Sequence, residues 1–168
     1  MRFLVIFLLL VVGMSVYAQS VKVDGVIGEK EYSKVFNVDK DFTIYISYDS
    51  KNVYVGMASK TKGWVSVGFG SPVMDKSIMY IGYYDAKAKK FVVDENLGVK
   101  HSHVKVDKPS VINYAGSRDN NQTTFEIVIP RKIGNVDLVG KVPVIWAYST
   151  SDSIKSYHSK RGSLTIEF

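Results

Sequence analysis

The residues best suited to chemistry in this chain are few: it holds three histidines, five methionines and no cysteine. Two of them stand in similar settings. Met74 follows the stretch "GWVSVGFGSPV", just past a Gly-Ser-Pro turn at the end of an alternating segment, and His158 lies in the polar run "YHSKRG" ahead of another such segment. A thioether and a neutral imidazole are both good ligands for a low-spin haem iron, and the pair raises its reduction potential. The two are 158 − 74 = 84 positions apart. That spacing suits equally a methionine filling a gap in a core and a histidine on a polar surface, so by itself it leaves both readings open. A second constellation is His101-x-His103. On an extended strand residues i and i+2 share a face, so both imidazoles could reach one metal ion, or both could sit on the solvated side of a sheet.

Other chemistries lack their residues. There is no Gly-rich phosphate loop, no Gly-x-Ser-x-Gly elbow, no His-Glu-x-x-His and no calcium-loop spacing. A c-type haem needs Cys-x-x-Cys-His and is excluded by the absence of cysteine. Acidic residues fall mostly in turns, as at Asp49, Asp75, Asp85 and Asp119, where the short side chain helps the turn form. Asp94-Glu95 is the one adjacent acidic pair we single out, and neighbours on a strand point to opposite faces.

The elements that must position Met74 and His158 repeat with period two. "FTIYISY" (42 to 48) sends Phe42, Ile44, Ile46 and Tyr48 to one face, and "VYVGMAS" and "WVSVGF" follow after the turns "DSKN" and "KTKG". Further strands are expected at 78–84, 91–93, 99–106, 111–114, 123–129, 144–149 and 163–168. "GEKEYSKV" (28 to 35) reads as one short polar helical turn. About ten short strands rich in Val, Ile, Tyr, Phe and Thr predict an all-β, antiparallel immunoglobulin-like β-sandwich.

The opening residues read as a signal peptide over residues 1–18: Arg2 leads an apolar run from Phe3, and Val16-Tyr17-Ala18 offers a cleavage site. A single domain over 19–168 is expected to follow, exported to the periplasm, the cell surface or the medium, with no membrane span once the leader is removed. Losing Arg2 leaves 21 basic against 16 acidic residues, a charge of +5 in place of +6. The surplus is lysine scattered along the chain and not concentrated on one element, which argues against a nucleic-acid partner.

The run "FTIYISYDSKNVYVGMASKTKGWVSVGFGSPVMDKSIMYIGYYD" resembles the core of the DOMON family, a haem- and sugar-binding β-sandwich family. "TTFEIVIPRKI" and "VIWAYSTSDSIKSYHSKRGSLTIEF" are similar to the family's later strands and closing segment, so the resemblance covers roughly residues 42–168. In the haem-binding branch, which includes the cytochrome domain of cellobiose dehydrogenase, the methionine after the Gly-rich turn and the closing-segment histidine are the axial ligands. By that resemblance they fall on Met74 and His158. The resemblance implies a b-type haem (haem b) whose job is electron transfer with a redox partner protein, and no catalysis by the chain itself. If Met74 and His158 share an end of the sandwich, the haem is expected between the sheets. Trp64, Phe69, Met79, Tyr83, Trp146 and Tyr148 are then candidates for its wall, and Lys160 and Arg161 for its propionates. The alternative within the same resemblance is a haem-free carbohydrate or small-ligand binding module that stacks a sugar on Trp and Tyr faces. The chain departs from fungal relatives in lacking disulfides, since it has no cysteine.

Overall fold

The computed structural model describes residues 21–119 and 121–168; the leader expected over 1–18 lies outside them. The described residues form thirteen strands and no helix: β1 (Lys34–Asp39), β2 (Phe42–Tyr48), β3 (Asn52–Ser59), β4 (Val65–Phe69), β5 (Ile78–Asp85), β6 (Lys90–Val99), β7 (Ser102–Lys105), β8 (Asn113–Asp119), β9 (Gln122–Pro130), β10 (Lys132–Ile133), β11 (Val136–Asp137), β12 (Lys141–Tyr148) and β13 (Lys160–Glu167). They make a five-stranded sheet in the order β1-β2-β3-β9-β8, a six-stranded sheet in the order β13-β12-β4-β5-β6-β7, and a small β10-β11 ribbon. All pairings are antiparallel. The expected sandwich is present, with more strands than the sequence suggested. No helix long and apolar enough to cross a membrane occurs among the described residues.

Alternation decides what the two sheets bury against each other. Phe42, Ile44 and Ile46 of β2, Val53, Val55 and Met57 of β3, and Phe125, Ile127 and Ile129 of β9 point inward from one sheet. Val65, Val67 and Phe69 of β4 meet them from the other, with Tyr80, Val144, Trp146 and Tyr148. Each fully buried side chain of this size contributes on the order of 1.5–3 kcal/mol, which is how a chain with no disulfide holds two sheets together.

Two local expectations are corrected. Residues 28–35 are not helical: Lys30 has φ 62, and Glu31 bends back so that its carboxylate accepts from the backbone N–H of Gly28 (2.6 Å) and Lys22 (2.7 Å). That segment leads directly into β1, an edge strand whose inward Phe36 and Val38 are too widely interrupted by polar residues to announce it. The expected strand 99–106 is in fact a hairpin. Lys100 takes φ 56, and β7 folds back on β6 with Val99 opposite Ser102.

The N-terminal segment crosses the outer face of the five-stranded sheet and is fixed there by Glu126. This buried carboxylate accepts from the Tyr32 hydroxyl (2.7 Å) and from the N–H of Gly25 (2.7 Å) and Asp24 (3.1 Å). Burial raises its pKa against the lowering effect of those three donors.

Candidate functional site

β4 connects the two residues singled out for ligation, and its register fixes where each lies. Phe69, its last residue, pairs with Ile78 on one side and Val144 on the other; Val65, its first, pairs with Gly82 and Tyr148. Met74 stands in the turn between β4 and β5, hence at the Phe69 end. His158 stands in the loop between β12 and β13, hence at the Val65 end. Its neighbours confirm this: Ser159 N–H donates to the Tyr148 carbonyl (2.7 Å), and the Ser149 hydroxyl donates to the Tyr157 carbonyl (3.3 Å). The two therefore do not share an end of the sandwich. Between those two ends the five residues of β4 span four rises, roughly 13 Å.

The space between the sheets, where a haem was expected, is filled. Phe69 packs against Tyr80 at 6.3 Å between centroids; Tyr148 lies 5.5 Å from Phe42 and stacks on Trp146 at an interplanar angle of 10°. Phe69, Trp146 and Tyr148 thus serve the core. The Tyr148 hydroxyl donates to Asp39 (2.9 Å), which also pairs with Lys160 (3.0 Å). Lys160 holds the Asp39 carboxyl down to about 2, and burial pushes the Tyr148 phenol up to about 12. Lys160 is engaged across the sandwich edge, whereas Arg161, opposite Ala147, is exposed.

The other side of the six-stranded sheet is different. Alternation leaves Ser66 and Gly68 of β4 there, and register extends that face sideways: Ser66 lies opposite Ala147 and Ile81, Gly68 opposite Ile145 and Met79. Trp64 continues the parity one residue before β4, its backbone N–H donating to the Ser151 carbonyl (3.1 Å) and its backbone carbonyl accepting from Ser149 N–H (2.9 Å). In line with it, Tyr83 donates to Asp94 (3.3 Å). The result is an apolar strip with small residues along its floor.

Each end of this strip is bounded by one of the singled-out loops. At the Phe69 end, the Met74 carbonyl occupies the place of a side chain at Gly98 of β6, so only glycine fits there. Lys76 N–H donates to the Gly98 carbonyl (2.9 Å) and Lys100 N–H to Asp75 (2.6 Å), pinning the turn. At the Val65 end, the loop carrying His158 is clasped by Arg118, whose two terminal nitrogens donate to Asp152 at 2.8 and 2.6 Å. The Arg118 guanidinium also lies over the rings of Tyr84 and Phe91. Nothing local in the sequence marks Arg118 or Asp152, which lie 34 positions apart.

One atom on the strip is unsatisfied. Trp64 is 7% exposed, and its indole N–H is the single buried side-chain donor or acceptor without a partner among the described residues. Leaving such a group unpaired costs on the order of 1–3 kcal/mol, so it is a donor awaiting an acceptor.

The two other histidines do not form the metal pair considered above. His101 falls in the β6-β7 turn and only His103 is on the strand, so the shared face does not exist. His103 Nδ1 lies 3.0 Å from Asn96 Oδ1, and no cluster of three metal-ligating side chains occurs among the described residues.

The comparisons agree with this architecture. The DOMON domain model matches residues 38–149, and the chain belongs to that family. Its fold is similar to the cytochrome b domain of pyranose dehydrogenase from Coprinopsis cinerea, at a TM-score of 0.56 and 11% identity over 74% of each chain. It is likewise similar to the cytochrome domain of Myriococcum thermophilum cellobiose dehydrogenase, at a TM-score of 0.59 and 9% identity, over 79% of this chain and 81% of that one. No curated protein matches the sequence.

Proposed function

We propose that this DOMON chain binds a b-type haem with Met74 and His158 as axial ligands and works as an exported, non-catalytic electron-transfer domain. The observation that carries the reading is the strip on the outer side of the six-stranded sheet. Loops bearing a thioether and an imidazole bound it, and Met74 and His158 would be the residues that hold an iron there. The residues fit the group in chemistry as well. Met79 and Ile81 supply apolar contact, the unpaired Trp64 indole N–H offers a hydrogen bond to an acceptor on it, and Ser77, Met79 and Ile145, which pack over Gly68, would shift to admit a ring. Bound haem would supply a one-electron couple. The chain's part is to hold the ligands, exclude water and place Arg161 at the exposed margin, where a carboxylate can pair with it. The separation along β4 requires the two loops to close toward one another when both ligate.

The test is a haemin titration of residues 19–168, followed by reduction, beside Met74→Ala and His158→Ala. A stoichiometric six-coordinate low-spin spectrum, lost in either variant, supports the reading. No saturable shift, or a shift indifferent to both substitutions, removes haem and leaves the carbohydrate or small-ligand module as the function to test.

A further inference from the structure

Strand register brings a second imidazole close to Met74, from β7. The link is Gly98 of β6. Its backbone N–H donates to the Ser77 carbonyl (2.9 Å) and its carbonyl accepts from Lys76 N–H (2.9 Å), so both groups face the Met74 turn and neither faces β7. Gly98 and His103 are therefore a non-hydrogen-bonded pair, the kind whose Cα atoms stand about 4.5 Å apart and whose side chains lie closest. Residues directly opposite share a face, so the His103 imidazole rises from the side of the sheet on which the Met74 carbonyl covers Gly98. Met74, half-buried, and His103, exposed, thus flank the same glycine, whereas His158 belongs to the other end of β4.

The His103 ring is held in one orientation. Its Nδ1 lies 3.0 Å from Asn96 Oδ1, and Asn96, only 5% exposed, uses its amide nitrogen to donate to the Asp94 carbonyl (3.3 Å). With that nitrogen committed, the Asn96 oxygen accepts from His103 Nδ1–H, and Nε2 keeps its lone pair. This is how a ligating histidine is usually prepared: the other ring N–H donates to an oxygen, which fixes the tautomer and the ring plane. Lys105, the cation on the same face of β7, is turned to the buried Asp94 carboxylate (2.5 Å). The donor set then selects the metal. One thioether and one neutral imidazole are too few to close a zinc tetrahedron or an oxygen shell for calcium, and no cluster of three His, Asp or Glu side chains supplements them among the described residues. Copper(I) is the ion that suits them, being soft, favoured by thioether sulfur and content with few ligands.

We propose that Met74 and His103 form a copper(I) site at this end of the strip, with Met74 Sδ and His103 Nε2 as ligands and Asn96 as the residue that orients the imidazole. The site does not rest on the haem reading. The two share Met74, so copper here and a six-coordinate haem exclude one another, and copper supply would regulate haem ligation.

The test titrates the haem-free protein, without oxygen and under a reductant, into the coloured complex of copper(I) with bicinchoninate, whose absorbance falls as copper is withdrawn. A single equivalent is expected to move to the protein. X-ray absorption on the copper-loaded parent is expected to show both a sulfur and a ring nitrogen bound to copper. Met74→Leu keeps the volume and removes the sulfur, and His103→Ala alters an exposed position; each is expected to weaken binding at least about tenfold with unchanged circular dichroism. His101→Ala is expected to bind as the parent does. Where a variant changes the dichroism, the X-ray spectrum of the parent decides alone. No withdrawal of copper, a copper shell without sulfur, parent-like binding by a folded Met74→Leu or His103→Ala, or equal loss in His101→Ala overturns the proposal. Because no haem is present and His158 takes no part, that result is independent of the spectral titration above.

Discussion

Replacing Trp64 by Phe separates a structural tryptophan from one that serves a bound group. In the ligand-free protein the substitution does two opposing things. It removes a buried N–H that has no partner, relieving on the order of 1–3 kcal/mol of desolvation. It also shrinks the ring, leaving a cavity on the order of 40 Å³ that costs about 1 kcal/mol, with about another 1 kcal/mol of lost transfer energy. The two nearly cancel, so urea denaturation of Trp64→Phe should fall within about 1 kcal/mol of the parent, far from the 3–5 kcal/mol usual for truncating a buried aromatic to alanine. Binding should respond differently. A hydrogen bond to a charged acceptor contributes about 1.5–3 kcal/mol, so haemin affinity should drop roughly 10- to 150-fold. A variant destabilised by about 3 kcal/mol with unchanged haemin affinity would refute the reasoning, because it would mean that the indole N–H is partnered inside the protein and faces no ligand.

Three further outcomes follow from the same geometry. Gly98→Ala collides with the Met74 carbonyl and should cost about 1–3 kcal/mol in denaturation, with the six-coordinate haem spectrum weakened because the methionine turn is displaced. Arg118→Met breaks the clasp on Asp152 and should lower stability by about 1–2 kcal/mol while speeding proteolysis or amide exchange within 149–159; an unchanged loop would show that the clasp does not hold it. Asp39, held at about 2 by Lys160, contributes stability that is complete above the ordinary aspartate range and is lost as pH falls from about 4 toward 2. Asp39→Asn should therefore flatten the acid limb of a stability-pH curve in that window, which thermal melts across pH 2–5 measure.

How much of this was legible in the sequence depends on range. Period-two alternation exposed β2, β3 and β4 because each carries three or more inward apolar residues, and the same alternation separated Val65, Val67 and Phe69 from Trp64, Ser66 and Gly68. It did not reveal β1, where Phe36 and Val38 alone face inward, or the β6-β7 hairpin, whose turn is made by a lysine with positive φ and no glycine. The candidate site was half legible. Met74 and His158 stand in polar turns as expected, but which end of the sheet each turn occupies is a property of strand pairing, and the antiparallel pairing of β12 with β4 puts them at opposite ends. The Arg118-Asp152 clasp had no local signature at all, since it joins a strand of the five-stranded sheet to the loop between β12 and β13.

That pairing also favours the outer strip over the interior as the place for the proposed ligand. In a sandwich whose inward residues already fill the inter-sheet space, inserting a planar group there would mean displacing Phe42, Phe69, Trp146 and Tyr148, each worth on the order of 1.5–3 kcal/mol in burial alone. A group on the outer strip leaves those four aromatics in place. The strip's unsatisfied donor gains a partner, and the groups that have to move are the Ser77, Met79 and Ile145 side chains over Gly68 and the loops at its ends. The free energy of binding is then spent on closing two pinned loops. The Lys76 and Lys100 contacts at one loop and the Arg118 clasp at the other are the interactions that such closure has to strain or re-form, so weakening them should change ligand affinity as well as stability.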